Sequence, residues 1–147
     1  MDIRPATKAD VPAIVGMLAD DPLGATRETP DDLTRYYEAF DTISNDPHQH
    51  LMIVIQDGKP AGTLQLSIQR GLSRRGASRA VIEAVRVHRD MRGAGLGTEL
   101  IEWAIAEAKE LGATIVQLTS DNTRTDAHRF YERLGFARSH VGFKLQL

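Results

Sequence analysis

Apolar positions along the chain alternate between the spacing of strands and the spacing of helices. Met1 to Arg4 reads as a short first strand. Thr7, with Asp10 three residues on, marks a helix start. Val11, Ile14, Val15 and Leu18 then recur at helical spacing, with Pro12 leaving the start of that helix open by several residues. Pro22, Gly24 and Pro30 break residues 20–30 into a loop. A second helix over 31–43 carries Leu33, Tyr36, Tyr37 and Phe40 on one side and ends at Ser44-Asn45-Asp46-Pro47. Next comes a hairpin: the apolar run 51–55, the turn Asp57-Gly58, and the strand 61–69 with Leu64, Leu66 and Ile68 on one face. A polar loop, 70–79, precedes a strand over 80–87. The helix 96–111 turns Leu100, Ile101, Ala104, Ala108 and Leu111 inward, with Trp103 beside them and Gly112 at its end. Residues 115–118 read as a fifth strand. Ala127, Phe130, Tyr131 and Leu134 stripe a helix closed by Gly135, and Val141, Phe143, Leu145 and Leu147 alternate as a final strand.

The order β-α-α-β-β-β-α-β-α-β predicts an α/β fold: a mixed, mostly antiparallel sheet of about six to seven strands flanked on both faces by about four helices. No repeat or linker divides the sequence, so residues 1–147 read as one domain.

Composition narrows the function. A net charge of −2 lacks the basic surplus expected of a nucleic-acid binder. No apolar run approaches the roughly 20 residues that span a bilayer, and Met1-Asp2-Ile3-Arg4-Pro5 is not a signal peptide. With no cysteine there is no disulfide, no thiolate nucleophile and no cysteine metal site. A cytoplasmic protein is the expectation, with its chemistry drawn from carboxylates, Tyr, His, hydroxyls or backbone groups. His48, His50, His88, His128 and His140 form no helical i, i+4 pair, so no metal site is expected.

The densest signal is Arg92-Gly93-Ala94-Gly95-Leu96-Gly97-Thr98, placed between a strand and a helix. A helix start offers unpaired N–H groups and the positive end of a dipole, and glycine removes the Cβ atoms that keep a bulky anion away. The segment therefore reads as a phosphate cradle. It lacks the lysine of a P-loop, and its Gly-x-Gly-x-Gly spacing and late position depart from the dinucleotide fingerprint. It fits Arg/Gln-x-x-Gly-x-Gly/Ala. That pattern resembles the pyrophosphate loop of the GNAT superfamily, the acyl-CoA-dependent N-acetyltransferases, and the element order fits the GNAT fold across nearly the whole chain. Residues 119–131 are similar to the corresponding stretch of aminoalkylphosphonate N-acetyltransferases.

The resemblance implies acetyl-CoA as acyl donor, held by Arg92, Gly93, Ala94, Gly95, Leu96, Gly97 and Thr98, by the backbone of Val85, Arg86 and Val87, and by Asn122 and Ala127. Where many members have asparagine three residues before the alanine, this chain has Arg124. Glu83 is the candidate general base. It is an acid within Val81-Ile82-Glu83-Ala84-Val85, sharing a face by alternation with Val81, Val85 and Val87, and burial there would raise its pKa toward neutrality. A structural ion pair with Arg70, Arg74, Arg75 or Arg79 is the other reading. Tyr131, in a run resembling the family's Ala-x-x-x-Tyr-x-x-x-Gly-Phe signature, is the candidate acid for the leaving thiolate, or else completes an apolar helix face. Phe130 and Phe136 read as core.

The expected activity is direct acetyl transfer from acetyl-CoA to a primary amine of a small molecule, since no cysteine exists to carry an acyl intermediate. A protein or peptide acceptor, and a catalytically silent acyl-CoA-binding module, are the rivals. The arginine loop suits an anionic acceptor, while Asp20, Asp21 and Glu28 suit a polycationic one. Dimerisation through the apolar last strand is a further expectation.

Overall fold

The hairpin forms where Asp57-Gly58 marks it and organises what surrounds it. In the computed structural model, which describes residues 1–147, Asp57 and Gly58 take φ of 51° and 73°. Their turn joins β2 (Gln49–Gln56) to β3 (Lys59–Gln69), with Gln56 opposite Lys59. β1 (Asp2–Pro5) pairs antiparallel with β2, β4 (Ser78–Val87) antiparallel with β3, and β5 (Ala113–Gln117) parallel with β4. The sheet thus runs β1-β2-β3-β4-β5. A parallel neighbour needs a crossover, here α5 (Leu96–Glu110). The other helices are α1 (Val11–Ala19), the single turn α2 (Gly24–Arg27), α3 (Thr34–Ser44), the single turn α4 (Ser73–Gly76) and α6 (Thr125–Arg133).

Contacts divide the chain into two compact units, Met1–Gln117 and Leu118–Leu147. In the first, the pleat sends successive side chains to opposite faces of the sheet. Ile53 packs with Ile14 and Met17 of α1, and Leu51 and Ile55 adjoin that cluster. On the other face Leu64 and Leu66 are fully buried, as are Leu100, Ile101, Ala104 and Ala108 of α5, which packs on β3, β4 and β5. Burying a Leu or Ile side chain contributes roughly 1.5–3 kcal/mol, so α5 is held chiefly by this stripe. Pro12 falls in the first turn of α1, where its missing N–H is not needed. A one-turn 3₁₀ helix, Lys8–Asp10, precedes it.

Asp10 ties this corner together. Its carboxylate accepts from both Arg4 nitrogens at 2.7 and 3.0 Å, from the Thr7 N–H at 2.7 Å and from the Thr7 hydroxyl at 2.9 Å. The Arg4 bonds, then those from Thr7, lower its pKa from 3.8 to about 2. A depressed carboxylate pKa contributes stability above the unfolded value and loses it as pH falls through the folded one. We expect Asp10→Asn to cost about 1–2 kcal/mol near neutral pH. The cost should shrink as pH drops from about 4 to about 2. Urea unfolding across that window checks this; a cost independent of pH would mean that the charge is not what holds the corner.

The second unit holds α6, closed by Gly135 at φ 93°. Tyr131 meets Phe130 and Phe136 edge-on, with ring centroids 5.2 and 5.9 Å away. The expected final strand does not form. Residues 136–147 adopt neither strand nor helix, and Val141, Phe143, Leu145 and Leu147 are 76%, 92%, 86% and 116% exposed. Their alternation suits a pleated, half-buried surface, but a strand also needs a neighbour to take its backbone N–H and C=O groups. Without one the sheet has five strands rather than six or seven. The single turns α2 and α4 raise the helix count to six.

Candidate functional site

β4 changes character half-way along. Its parallel ladder to β5 ends at Val81 opposite Gln117. From Ile82 to Val87 it pairs with β3 alone, so one edge of that half carries no ladder. The same half contains a bulge: Gln65 lies opposite Glu83 and Thr63 opposite Arg86, leaving Leu64 to face both Ala84 and Val85. Ala84 takes φ 52°, the left-handed region. For a residue with a Cβ this costs roughly 1–2 kcal/mol. Bulges and strained backbone of this kind cluster beside active sites, where they re-aim backbone groups.

The bulge corrects the reading of Glu83. Thr63 and Gln65 share a face of β3, so Glu83 and Arg86 share one, and the extra residue turns Val85 and Val87 to the other. Glu83 is exposed, not half-buried, and its carboxylate makes no hydrogen bond or ion pair. The arginine loop does not pair with it. Arg70 donates to Ser78 Oγ at 3.3 Å, and Arg79 reaches Gln117 and Ser73, each at 3.4 Å. Arg74 and Arg75 stand exposed with left-handed φ of 53° and 62°.

Beyond β4, a 3₁₀ turn (Arg89–Met91) leads into the glycine segment and α5. Gly93 and Gly95 require their residue type, with φ of 82° and 86°. A Cβ at either would meet no protein atom within 4 Å. The space over the loop is open, and Gly95 caps α5 without a side chain to occupy its first N–H groups, those of Leu96, Gly97 and Thr98. Leu96 is buried, while Gly97 and Thr98 are half-exposed. This arrangement suits an anion of diphosphate size.

An ionic lattice that the residue pattern did not reveal ties the α1–α2 loop to this segment. Asp20 accepts from Arg89 at 2.5 Å and Arg92 at 3.1 Å, and the Arg92 Nε–H donates to the Val87 carbonyl at 3.1 Å. Asp21 pairs with Arg86 at 3.0 Å and accepts the Gly24 N–H at 2.5 Å. Glu28 accepts from the Tyr36 hydroxyl at 2.6 Å. Asp20, Asp21 and Glu28 are thus engaged within the protein. The signal for the lattice was present only as charge balance, acids at 20–21 and arginines at 86, 89 and 92. A second missed group is Gln49, Gln65 and Ser67, polar residues at inward positions of β2 and β3.

In the second unit, Tyr131 and Ala127 are half-buried, whereas Asn122 and Arg124 are exposed. His128 Nε2 lies 2.8 Å from the Asp121 carbonyl. No cluster of three or more His, Asp or Glu residues gathers that could hold a metal ion. A cleft of about 580 Å³ is lined by residues that include Met17, Asp20, Pro60, His88 and Arg89, but by neither Glu83 nor 92–98. In the first unit, Glu83 and the 92–98 loop lie outside that cleft, on the half of β4 without a second ladder and at the helix start that follows it. No helix is long and apolar enough to cross a membrane.

Residues 14–136 match the acetyltransferase (GNAT) family. An aminoalkylphosphonate N-acetyltransferase of Salmonella typhimurium is 29% identical over 142 residues, covering 97% of this chain and 88% of that one. An L-methionine sulfoximine/L-methionine sulfone acetyltransferase of Pseudomonas aeruginosa is 29% identical over 138 residues, 91% of this chain and 78% of that one. The crystal structure of a transcriptional regulator from Bacillus halodurans C-125 superposes with a TM-score of 0.95 at 43% identity, covering 99% of both chains.

Proposed function

This chain belongs to the acetyltransferase (GNAT) family and is an acyl-CoA-dependent N-acetyltransferase; on that premise we propose that it moves an acetyl group from acetyl-CoA directly to the primary amine of a small molecule. The observation that carries this reading is the half of β4 beyond Val81, which has one free edge and a bulge and leads into the glycine loop at the start of α5.

Acetyl-CoA supplies the activated acyl group as a thioester. The N–H groups of Leu96, Gly97 and Thr98, with Arg92 and the open backbone of Gly93, Ala94 and Gly95, hold its diphosphate. Backbone groups of Val85, Arg86 and Val87 on the free edge align its arm, and a re-aimed N–H there polarises the carbonyl. In the second unit Asn122 and Ala127 add contacts to the donor. Glu83 takes the proton from the incoming ammonium, and Tyr131 gives one to the departing sulfur. Without cysteine, no acyl-cysteine intermediate intervenes.

The two curated relatives, named for an aminoalkylphosphonate and for methionine derivatives, support a small acceptor over a protein one. Thiol release from acetyl-CoA with aminoethylphosphonate, L-methionine sulfone and an N-terminally free peptide tests this. We expect turnover with small amines; acetylation of the peptide alone would overturn it. We place the protein in the cytoplasm as a homodimer, the apolar side chains at 141, 143, 145 and 147 covered by a second copy. Sedimentation should give about twice the 16.2 kDa chain mass. It should fall to the monomer in Phe143→Ser/Leu145→Ser; a monomeric wild type would sink the dimer.

A further inference from the structure

Next to Glu83, the sheet carries polar side chains where its own pattern calls for apolar ones. Two cross-strand rows share that face: Leu51, Gln65 and Glu83 in one, Gln49, Ser67 and Val81 in the next. Farther along the same face Ile53 is buried against α1. Four of the six side chains in the two rows are polar. Ser67 is 4% exposed, and Gln49 and Gln65 are half-buried.

Their hydrogen bonds are unevenly spent. Gln65 Nε2 and Ser67 Oγ both donate to Gln49 Oε1, each at 2.7 Å. The Gln49 oxygen is saturated, and no other side-chain bond is made by this trio. The Gln49 amide hydrogens, the Gln65 oxygen and the Glu83 carboxylate are left over, spread over two adjacent rows of three strands. None of these leftover atoms is sealed from solvent, so each is open to a bound molecule.

We propose that Gln49 and Gln65 are the acceptor-recognition residues of the transferase, positioned by Ser67. The leftover groups define the substrate. An ammonium has three N–H donors, of which Glu83 takes one and Gln65 Oε1 another. The Gln49 amide then donates to a hydrogen-bond-accepting group on the same molecule, such as a carboxylate or a phosphonate. Glu83 and Gln49 are two strand spacings apart across the sheet and one row apart along it, about 12 Å between backbones, part of which their side chains fill, so the molecule is short. This assignment rests on the small-amine reading above.

The test measures Michaelis constants for acetyl-CoA and for β-alanine, aminoethylphosphonate and n-butylamine, by thiol release. Wild type should favour the first two amines over n-butylamine by about tenfold or more in kcat/KM. Gln49→Leu should erase that preference. Gln49→Glu, which keeps the shape and the accepting oxygen but removes the donors, should reverse it. Both should leave the KM for acetyl-CoA unchanged, and Gln49→Glu, whose oxygen still holds Gln65, should slow β-alanine and aminoethylphosphonate more than n-butylamine. Gln65→Leu should raise the KM of all three amines about tenfold, again without touching acetyl-CoA. A wild type without preference, or Gln49 variants that slow every amine alike, would overturn this assignment alone. No thiol release with any amine, while acetyl-CoA still raises the melting temperature, would sink the small-amine reading and this one together.

Discussion

Glu83→Gln lowers kcat by about a hundredfold or more and leaves the melting temperature where it was. The second half follows from the surroundings of the residue. Glu83 is exposed and has no hydrogen bond or ion pair to lose, and such substitutions usually change stability by less than about 0.5 kcal/mol. The first half follows from chemistry. A primary ammonium cannot attack a carbonyl until it gives up a proton, and glutamine cannot receive one. Raising the pH should restore part of the lost rate, because the acceptor then arrives already deprotonated. The variant's profile should therefore climb with pH over a range where the wild-type profile has already levelled. The carboxylate stands in solvent in the free protein, so its desolvation has to come from the bound substrates. The effect belongs in kcat rather than in the KM for acetyl-CoA. An unchanged turnover number with an unchanged pH profile would remove Glu83 from the mechanism.

How much of this was legible in the sequence depends on the distance over which each feature is encoded. The Asp57-Gly58 turn, the α5 stripe and the placing of the glycine segment at a helix start are local, and each of these elements forms where it was read. The face of Glu83 did not come out as read, because alternation assumes an unbroken pleat. One extra residue at Ala84 shifts the register between Thr63 and Gln65 and moves Val85 and Val87 to the opposite side. Nothing in Val81-Ile82-Glu83-Ala84-Val85 announces the bulge, since alanine is not the residue that left-handed backbone normally selects. The grip of Asp20 on Arg89 and Arg92 spans 69 and 72 positions and exists only once β4 and α1 are in place. The stretch from 141 to 147 shows the converse. Its strand pattern is plain, but pattern supplies only one of the two things a strand requires, and the missing one is a partner.

Gly95→Asp should abolish acetyl-CoA binding while sparing the fold. The free protein has room for the change, since a Cβ at this position meets no atom within 4 Å. Left-handed backbone, at φ 86°, costs a residue other than glycine roughly 1–2 kcal/mol. Asp is among the better-tolerated residues there, and as an N-cap it returns about 1 kcal/mol by accepting from the first N–H groups of α5. Those two effects nearly cancel, so the unliganded variant should melt close to wild type. With ligand they no longer matter, because the new carboxylate occupies the N–H groups and places negative charge where the diphosphate must sit. For wild type, acetyl-CoA at about 100 times its dissociation constant should add roughly 2.7 kcal/mol. In a chain of this length that is a rise of about 5–10 °C in melting temperature. The variant should show none of it. Gly95→Ala separates backbone strain from charge: it should lower the unliganded melting temperature but retain a measurable ligand shift. An undiminished shift in Gly95→Asp would show that the diphosphate is held elsewhere, and would take the 92–98 loop out of the donor site.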